Sequence, residues 1–291
     1  MKTPFAHPCR GRSVHAVILS LLATPLFVAT LRAQSETAPA DKERSARLGE
    51  MKDIVQKIKV CHLSEDRRVP AKLVEEAALR MTDPSRQRLD GTVWLWYGND
   101  RPLVILQLWT QGDGRPVWYL SLSSLSTGLV AAEGEGGWRW TPDRPGVKFQ
   151  SLPDAPAPAE KAPARLRQMK EFARRFTAHQ FWDPNNQRTE LRLLGQPIHR
   201  YTEPKQELLD GAVFAFCHDT DPEVILLIEA VQQGPAARTW RFAAAPLGSA
   251  ELHLQLNGRD VWQVPRAPGV AGDPSDPYWL FTRPMRRLQT E

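Results

Sequence analysis

The chain has 291 residues, of which 42% are hydrophobic and 24% are charged, with a formal net charge of +5. Its first 33 residues include Lys2, Arg10, Arg12 and Arg32 and no acidic residue, so the remaining 258 residues carry 34 basic and 33 acidic side chains. A net charge of +1 lacks the basic excess of nucleic-acid-binding proteins and argues against nucleic acid as a partner. A chain of this length can bury a good core without disulfide staples.

Residues 1–33 have the pattern of a secretory signal peptide. A basic start precedes a nearly continuous apolar run, Val14 to Thr30, and Leu31-Arg32-Ala33 then precedes polar residues, which predicts cleavage after Ala33. A transmembrane anchor is the alternative, but the apolar run is short for a bilayer core of roughly 30 Å. We therefore expect export to the periplasm, cell surface or extracellular space, with no stable membrane span after cleavage.

Two amphipathic helices are predicted. Residues 34–45 are polar and aperiodic and predict a disordered leader. Apolar residues then recur at helical spacing, with charged residues on the opposite face. In the first helix they are Leu48, Met51, Ile54, Val55 and Ile58, and in the second they are Leu166, Met169, Phe172 and Phe176.

Short runs rich in Val, Ile and aromatic residues follow each helix and predict strands. The first set is Lys72–Arg80, Thr92–Gly98, Leu103–Thr110, Val117–Ser123, Gly128–Ala132 and Trp138–Thr141. The second set is Glu190–His199, Ala212–His218, Glu223–Val231, Thr239–Ala244, Glu251–Leu256 and Val261–Val264. Consecutive strands joined by such short links must pair antiparallel. Between the sets, residues 152–163 contain four prolines and four alanines and predict an extended linker.

The region after the leader is an internal repeat. Ala46-Arg47-Leu48 returns as Ala164-Arg165-Leu166, and Leu89-Asp90-Gly91 returns as Leu209-Asp210-Gly211. The repeats span residues 46–151 and 164–285. The predicted fold class is α+β: a tandem duplication in which each unit is an N-terminal amphipathic helix followed by an antiparallel β-meander. The two units are expected to pack with pseudo-twofold symmetry.

The strongest repeated polar set is Arg80 and Asp90 in the first copy, with Arg200 and Asp210 in the second. A duplicated active site, with Arg holding an anion and Asp acting as a base or ligand, is one interpretation. We favour a structural one, in which Arg pairs with Asp across a loop set by the Asp-Gly turn.

Four aromatic residues are confined to the first copy, and they define a candidate binding surface for a glycan, a peptide or a partner protein: Tyr97, Trp109, Tyr119 and Trp138. The alternative is that these residues belong to a core that is richer in aromatic residues in the first copy, or to an interface between the copies.

The Cys217-His218-Asp219 segment offers metal-ligand types, but neighbouring residues on a strand point to opposite faces, so we predict no metal site. Cys61 and Cys217 either form one disulfide or remain free, and free thiols are favoured.

Several runs of the second copy resemble a group of uncharacterised exported proteins typical of planctomycete bacteria. These runs are Ala164-Arg165-Leu166-x-x-Met169-Lys170, Glu190–Leu194, Leu209–Phe216 and Asp221–Ala230. The resemblance covers most of the chain after residue 33. It implies a signal peptide and bacterial export, and it transfers no functional residue because the group has no assigned activity.

No signature motif of an enzyme class is present, and we predict no cofactor. The function expected from the sequence is that of a non-catalytic binding or scaffold module, with a cell-envelope glycan or protein as its partner. The alternative is a small-ligand-binding or hydrolase-like enzyme with its site in a cleft between the repeats.

Overall fold

The computed structural model describes residues 42–64, 67–98, 100–112, 116–182, 185–203, 207–234 and 237–285. By its internal contacts, the described part of the chain from Ala46 onward forms one compact unit. The predicted signal peptide and residues 34–41 of the predicted leader lie outside the described residues. Within the described ranges, no helix is both long enough and apolar enough to cross a bilayer.

Helix α1 spans residues 42–56, so it begins inside the predicted leader. It is followed by β1 (Lys59–Ser64), β2 (Arg67–Pro70), β3 (Lys72–Leu73), β4 (Leu79–Asp83), β5 (Arg88–Gly98), β6 (Arg101–Gln111), β7 (Val117–Ser124), β8 (Leu129–Glu133), β9 (Arg139–Trp140) and β10 (Gln150–Ser151). Helix α2 (Ala162–Ala173) precedes β11 (Phe176–Trp182), β12 (Gln187–Leu193), β13 (His199–Glu203), β14 (Leu208–His218), β15 (Asp221–Gln233), β16 (Ala237–Pro246), β17 (Glu251–Leu256), β18 (Arg259–Val264) and β19 (Tyr278–Pro284). Two 3-10 turns cover Pro84–Arg86 and Gly269–Ala271.

The strands form three antiparallel sheets. The six-stranded sheet has the order β19-β7-β6-β5-β3, with β4 also on β5. The nine-stranded sheet has the order β10-β16-β15-β14-β12-β11-β17-β18, with β13 also on β14. The four-stranded sheet has the order β2-β1-β8-β9. We call α1 to β10 the first half and α2 to β19 the second half.

The predicted α+β fold class is wrong. The described residues are 55% strand and 14% helical, with two α-helices, and they build large antiparallel sheets rather than a repeated helix-plus-meander unit. The prediction missed β1 and β11, which directly follow the helices. Because both runs mix polar and apolar residues, they resemble loops in composition, yet β1 pairs with β8 and β11 pairs with β17. These long-range pairings are incompatible with a simple meander.

Each helix packs its apolar face into the core of its own half. Met51, Ile54 and Val55 of α1 share a core with Trp94 and Trp96 of β5. Met169 and Phe172 of α2 share an equivalent core with Phe214 and Phe216 of β14. The tryptophan and phenylalanine pairs occupy corresponding positions, since a buried aromatic position tolerates replacement by another large apolar ring.

The two large sheets meet across a third apolar core. Side chains alternate along a strand, so Val93 and Leu95 of β5 face away from Trp94 and Trp96. They pack in one cluster with Val213 and Ala215 of β14 and with Ile225 of β15. The central strands are therefore buried on both faces, and the contact between the halves is largely filled.

Candidate functional site

A large cavity lies at the C-terminal end of α1 and has a volume of about 640 Å³. We call it the α1 pocket. Its walls come from the end of α1 and from β1, β2, β3, β5, β8 and β9. Helix α1 ends at residue 56, and the wall beyond it includes the small side chains of Ala71, Ala131 and Ala132. Small side chains past a helix end leave space that larger ones would fill.

The inner surface of the α1 pocket is apolar and its rim is basic. Ile58, Val60 and Trp96 form part of the interior and are almost completely buried. The rim contains three exposed cations, Lys59, Arg68 and Arg139, and one partly exposed anion, Glu133. Arg139 lies near that anion, with its Nε 3.9 Å from a carboxylate oxygen of Glu133, and Lys59 faces Glu133 across the paired strands β1 and β8. The rim thus keeps a local positive excess.

Cys61 lies in the wall of the α1 pocket. It is a free, partly exposed cysteine, and Cys217 is free and buried in the core between the sheets, so the two form no disulfide. Burial raises the pKa of Cys61, because desolvation outweighs the attraction of Arg68. The thiol is therefore a weak nucleophile at neutral pH and a natural chemical reporter for the cavity.

A second cavity, the inter-half pocket, has a volume of about 290 Å³ and is lined by residues of both halves. Arg101, at the start of β6, reaches Glu203 of β13 and Glu229 of β15, with closest distances of 3.4 Å to each carboxylate. Glu229 also accepts hydrogen bonds from Arg241 and from the hydroxyl of Tyr201 at 3.0 Å. Burial raises the pKa of Tyr201, which keeps this hydroxyl protonated as a donor.

The opposite side of the interface holds a closed ion cluster: Asp83, Arg86, Arg88, Asp221 and Glu223. Arg88 pairs with Asp221, and Arg86 pairs with Glu223. Gln107 donates a further hydrogen bond to Asp221. A Cβ atom on Gly248 would overlap the Glu223 carboxylate, which explains the glycine there. These side chains are almost fully enclosed, so the cluster joins the halves and offers no open ligand site.

Asp83, His218 and Asp219 bring potential metal-ligand atoms within 4.8 Å of one another. The Asp83 carboxylate already has protein partners, since it accepts hydrogen bonds from the hydroxyl of Ser85 and the backbone N–H of Arg86 and contacts Nδ1 of His218 at 3.0 Å. The Arg86 guanidinium also lies 3.5 Å from the same carboxylate and disfavours a cation. We therefore interpret Asp83, His218 and Asp219 as polar contacts at the edge of the closed ion cluster rather than as a metal centre.

The repeated Arg and Asp residues make the same contacts in both halves. Arg80 binds Asp90 through Nε at 2.9 Å and Nη2 at 2.7 Å, and Arg200 binds Asp210 in the same bidentate way. A helix arginine adds a further bond to each aspartate: Arg47 from α1 to Asp90, and Arg165 from α2 to Asp210. Each set thus ties a helix to two strands.

The four aromatic residues of the candidate binding surface do not form an exposed patch. Trp109 and Tyr119 are buried and stacked on each other, with ring centroids 5.4 Å apart. Trp138 packs against Phe281, and Tyr97 packs against His199, each at 4.9 Å. The structure places these rings in three separate environments.

Sequence reasoning missed the residues around both pockets. The available signal was a charged residue inside an otherwise apolar strand, such as Glu229 in β15, because a buried charge requires a partner. Nothing in the sequence identified Arg101 as that partner. No known protein family, curated protein or solved structure matches the chain.

Proposed function

We propose that the chain is an exported, non-catalytic binding protein whose ligand is an amphipathic anion with an extended apolar tail, held in the α1 pocket. The observation that carries this proposal is a cavity of about 640 Å³ with an apolar interior and a basic rim. Pockets of roughly 300–1,000 Å³ with mostly apolar walls and a few polar groups are typical ligand sites.

The apolar interior accounts for the tail. Ile58, Val60, Leu73 and Trp96 line the cavity and offer no strong hydrogen-bonding group apart from the Trp96 indole. Burial of each methylene group is worth about 0.8 kcal/mol, so a longer chain gains affinity until the cavity is filled.

The rim accounts for the charge of the head group. Lys59, Arg68 and Arg139 outnumber Glu133, and their side chains reach solvent, where they attract a carboxylate or phosphate without being buried. A cationic head group would meet a local positive excess. The proposal therefore commits to an anion.

Export is supported by the signal-peptide pattern of residues 1–33 and by the resemblance to exported bacterial proteins. A chain recovered from a bacterial periplasm should have the mass of residues 34–291; an uncleaved N-terminus would contradict this.

Binding is tested by calorimetric titration with monomeric dodecanoate, using dodecyltrimethylammonium as the matched probe with the same tail and the opposite charge. Dodecanoate should bind, and the cationic probe should bind at least about tenfold more weakly. Bound dodecanoate should also slow the alkylation of Cys61 by N-ethylmaleimide, because the thiol lies in the cavity wall. If neither probe binds, or if dodecanoate binds without protecting Cys61, the proposal fails.

Variants locate the head-group site. The double variant Arg68→Glu with Arg139→Glu should weaken dodecanoate binding about tenfold or more, since two rim cations become anions. The double variant Arg238→Glu with Arg259→Glu, at exposed positions of the second half, changes the net charge by the same amount; it is the matched control and should leave binding unchanged. An equal loss of dodecanoate affinity in both variants would indicate a general effect of net charge and would contradict the rim as the head-group site.

The enzyme alternative requires reactive groups in the inter-half pocket. Among the described residues that line it, one hydrogen bond joins a hydroxyl to a carboxylate, from Tyr201 to Glu229. Burial raises the pKa of Tyr201, so this hydroxyl stays protonated and is a poor nucleophile. The geometry there supports binding, not hydrolysis.

A further inference from the structure

Two buried polar atoms of the inter-half pocket have no hydrogen-bond partner among the residues that the structure describes. They are Nε of Arg101 and Oε2 of Glu203, and the Glu203 side chain is only 5% exposed. The two atoms lie 3.4 Å apart, close enough for an ion pair, but they form no hydrogen bond with each other. A buried donor and a buried acceptor without hydrogen-bond partners reduce stability, so a ligand that satisfies both atoms gains affinity.

The charges of the pocket balance. Arg101 and Arg241 are opposed by Glu203 and Glu229, and Glu229 is already satisfied by three donor side chains. Glu203 is the carboxylate left for a ligand. An added anion would face Glu203, and an added cation would face Arg101. A neutral ligand avoids like-charge repulsion with either residue.

A hydroxyl group matches the two free atoms, because it accepts a hydrogen bond from Arg101 Nε–H and donates one to Glu203 Oε2. Further hydroxyl and imidazole groups line the same pocket, from Ser126, Thr127 and His62, beside the apolar surfaces of Leu103 and Phe149. An apolar cavity of about 150 Å³ holds benzene. The 290 Å³ here is therefore the right size for a ring bearing several hydroxyl groups.

We propose that the inter-half pocket binds a small neutral polyhydroxylated molecule of monosaccharide size, with one hydroxyl bridging Arg101 and Glu203. This site is separate from the α1 pocket, and binding here does not depend on the amphipathic ligand. The exposed mouth around Thr127 lets the ligand be either a free sugar or the terminal residue of a longer glycan.

Protonation of Glu203 opposes this binding. Burial raises the pKa of Glu203, with Asp100 and Glu229 adding to the shift and Arg101 opposing it. Arg241, Tyr201 and His62 are the other titratable groups around the pocket. Affinity for a neutral sugar should fall as the pH is lowered through the pKa of Glu203, because a protonated carboxyl is a weaker hydrogen-bond acceptor than the carboxylate.

The test uses three pyranose probes with similar hydroxyl patterns and different charges: D-glucose, D-glucuronate and D-glucosamine. In titrations monitored by ligand-observed NMR, D-glucose should bind with a Kd in roughly the millimolar range or below, and the two charged probes about tenfold more weakly. No detectable binding of D-glucose, or tighter binding of D-glucuronate at neutral pH, overturns the proposal. Dodecanoate should not displace D-glucose; displacement would place both ligands in one site and also overturn it.

The variant Glu203→Gln should change which ligand the pocket prefers, and not only weaken binding. It removes one negative charge and keeps the shape of the side chain, so preference should shift from D-glucose toward D-glucuronate. Glu190→Gln, at an exposed ion pair with Arg188, is the control and should leave the preference unchanged. Should Glu203→Gln fail to fold, Thr127→Val at the exposed pocket mouth tests the same site and should weaken D-glucose binding. Unchanged binding in the folded pocket variant contradicts the proposal.

Discussion

Asp90 and Asp210 show how a single buried residue can hold three elements together. Both carboxylates are completely buried, and each accepts a bidentate arginine from a neighbouring strand and a further bond from a helix arginine. Such charge-assisted bonds are short and about twice as strong as neutral ones. Because the partners are only partly exposed, the sets stabilise the packing of each helix on its sheet.

Arg80→Ala should lower the free energy of unfolding by about 2 kcal/mol, because hydrogen bonds to charged groups contribute roughly 1.5–3 kcal/mol. Arg47 still partners Asp90 in this variant, so folding should survive. Arg188→Ala breaks an exposed pair with Glu190 and should cost less than about 1 kcal/mol. Urea unfolding measures both variants; an Arg80→Ala loss no larger than that of Arg188→Ala would contradict the structural role.

Asp221 gives the stability of the protein an unusual pH dependence. Burial raises its pKa to about 8 from 3.8, because desolvation and the nearby Glu223 outweigh the attraction of Arg88. Between pH 3.8 and about 8 the folded state therefore holds a proton that the unfolded state has released. The stabilisation from this residue is fully present below pH 3.8 and is lost as the pH rises toward about 8.

Asp221→Asn should remove this dependence. The difference in unfolding free energy between wild type and variant should be larger at acidic than at neutral pH, with a slope on the order of 1 kcal/mol per pH unit at most. Asp219→Asn is the control, since Asp219 is exposed and its positive φ suits asparagine. A difference that is independent of pH, or that grows toward neutral pH, would show that the carboxyl is ionised in the folded state.

At the scale of elements, the sequence pattern identified most central strands and the apolar faces of both helices. Runs such as Val93 to Trp96 are buried on both sides and carry a strong strand signal. The pattern failed for β1 and β11, whose mixed composition gives no local signal and whose partners lie far along the chain. The pairing of β1 and β11 depends on tertiary contacts. Because the sequence pattern does not show these contacts, the predicted fold class was wrong.

The candidate sites were less predictable than the strands. Cys61, Arg68 and Ala131 form one cavity wall only because β1 runs between β2 and β8. Arg101 meets Glu203 and Glu229 only because the two halves pack face to face. Neither arrangement follows from spacing along one chain. The Arg80–Asp90 pair could be anticipated because both residues belong to adjacent paired strands.

At the scale of the whole molecule, each half completes a sheet of the other. Strand β10, which ends the first half, pairs with β16, and β19, which ends the second half, pairs with β7. The apolar core between the large sheets and the closed ion cluster add contacts that cross the same boundary. The linker also packs against the second half. The backbone N–H of Leu152 donates a hydrogen bond to the carbonyl of Trp240, and the Trp240 indole donates one to the carbonyl of Pro156.

Cutting the linker should therefore leave the halves associated. A specific protease site inserted between the exposed residues Glu160 and Lys161 separates the chain without removing β10 from the first fragment. After cleavage, the two fragments should elute together in native gel filtration and separate only in guanidinium chloride. Each fragment alone would expose the apolar core of the interface and one unpaired sheet edge, which favours reassociation or aggregation. Two fragments that separate under native conditions, each retaining a cooperative unfolding transition, would mean that the halves are independent domains.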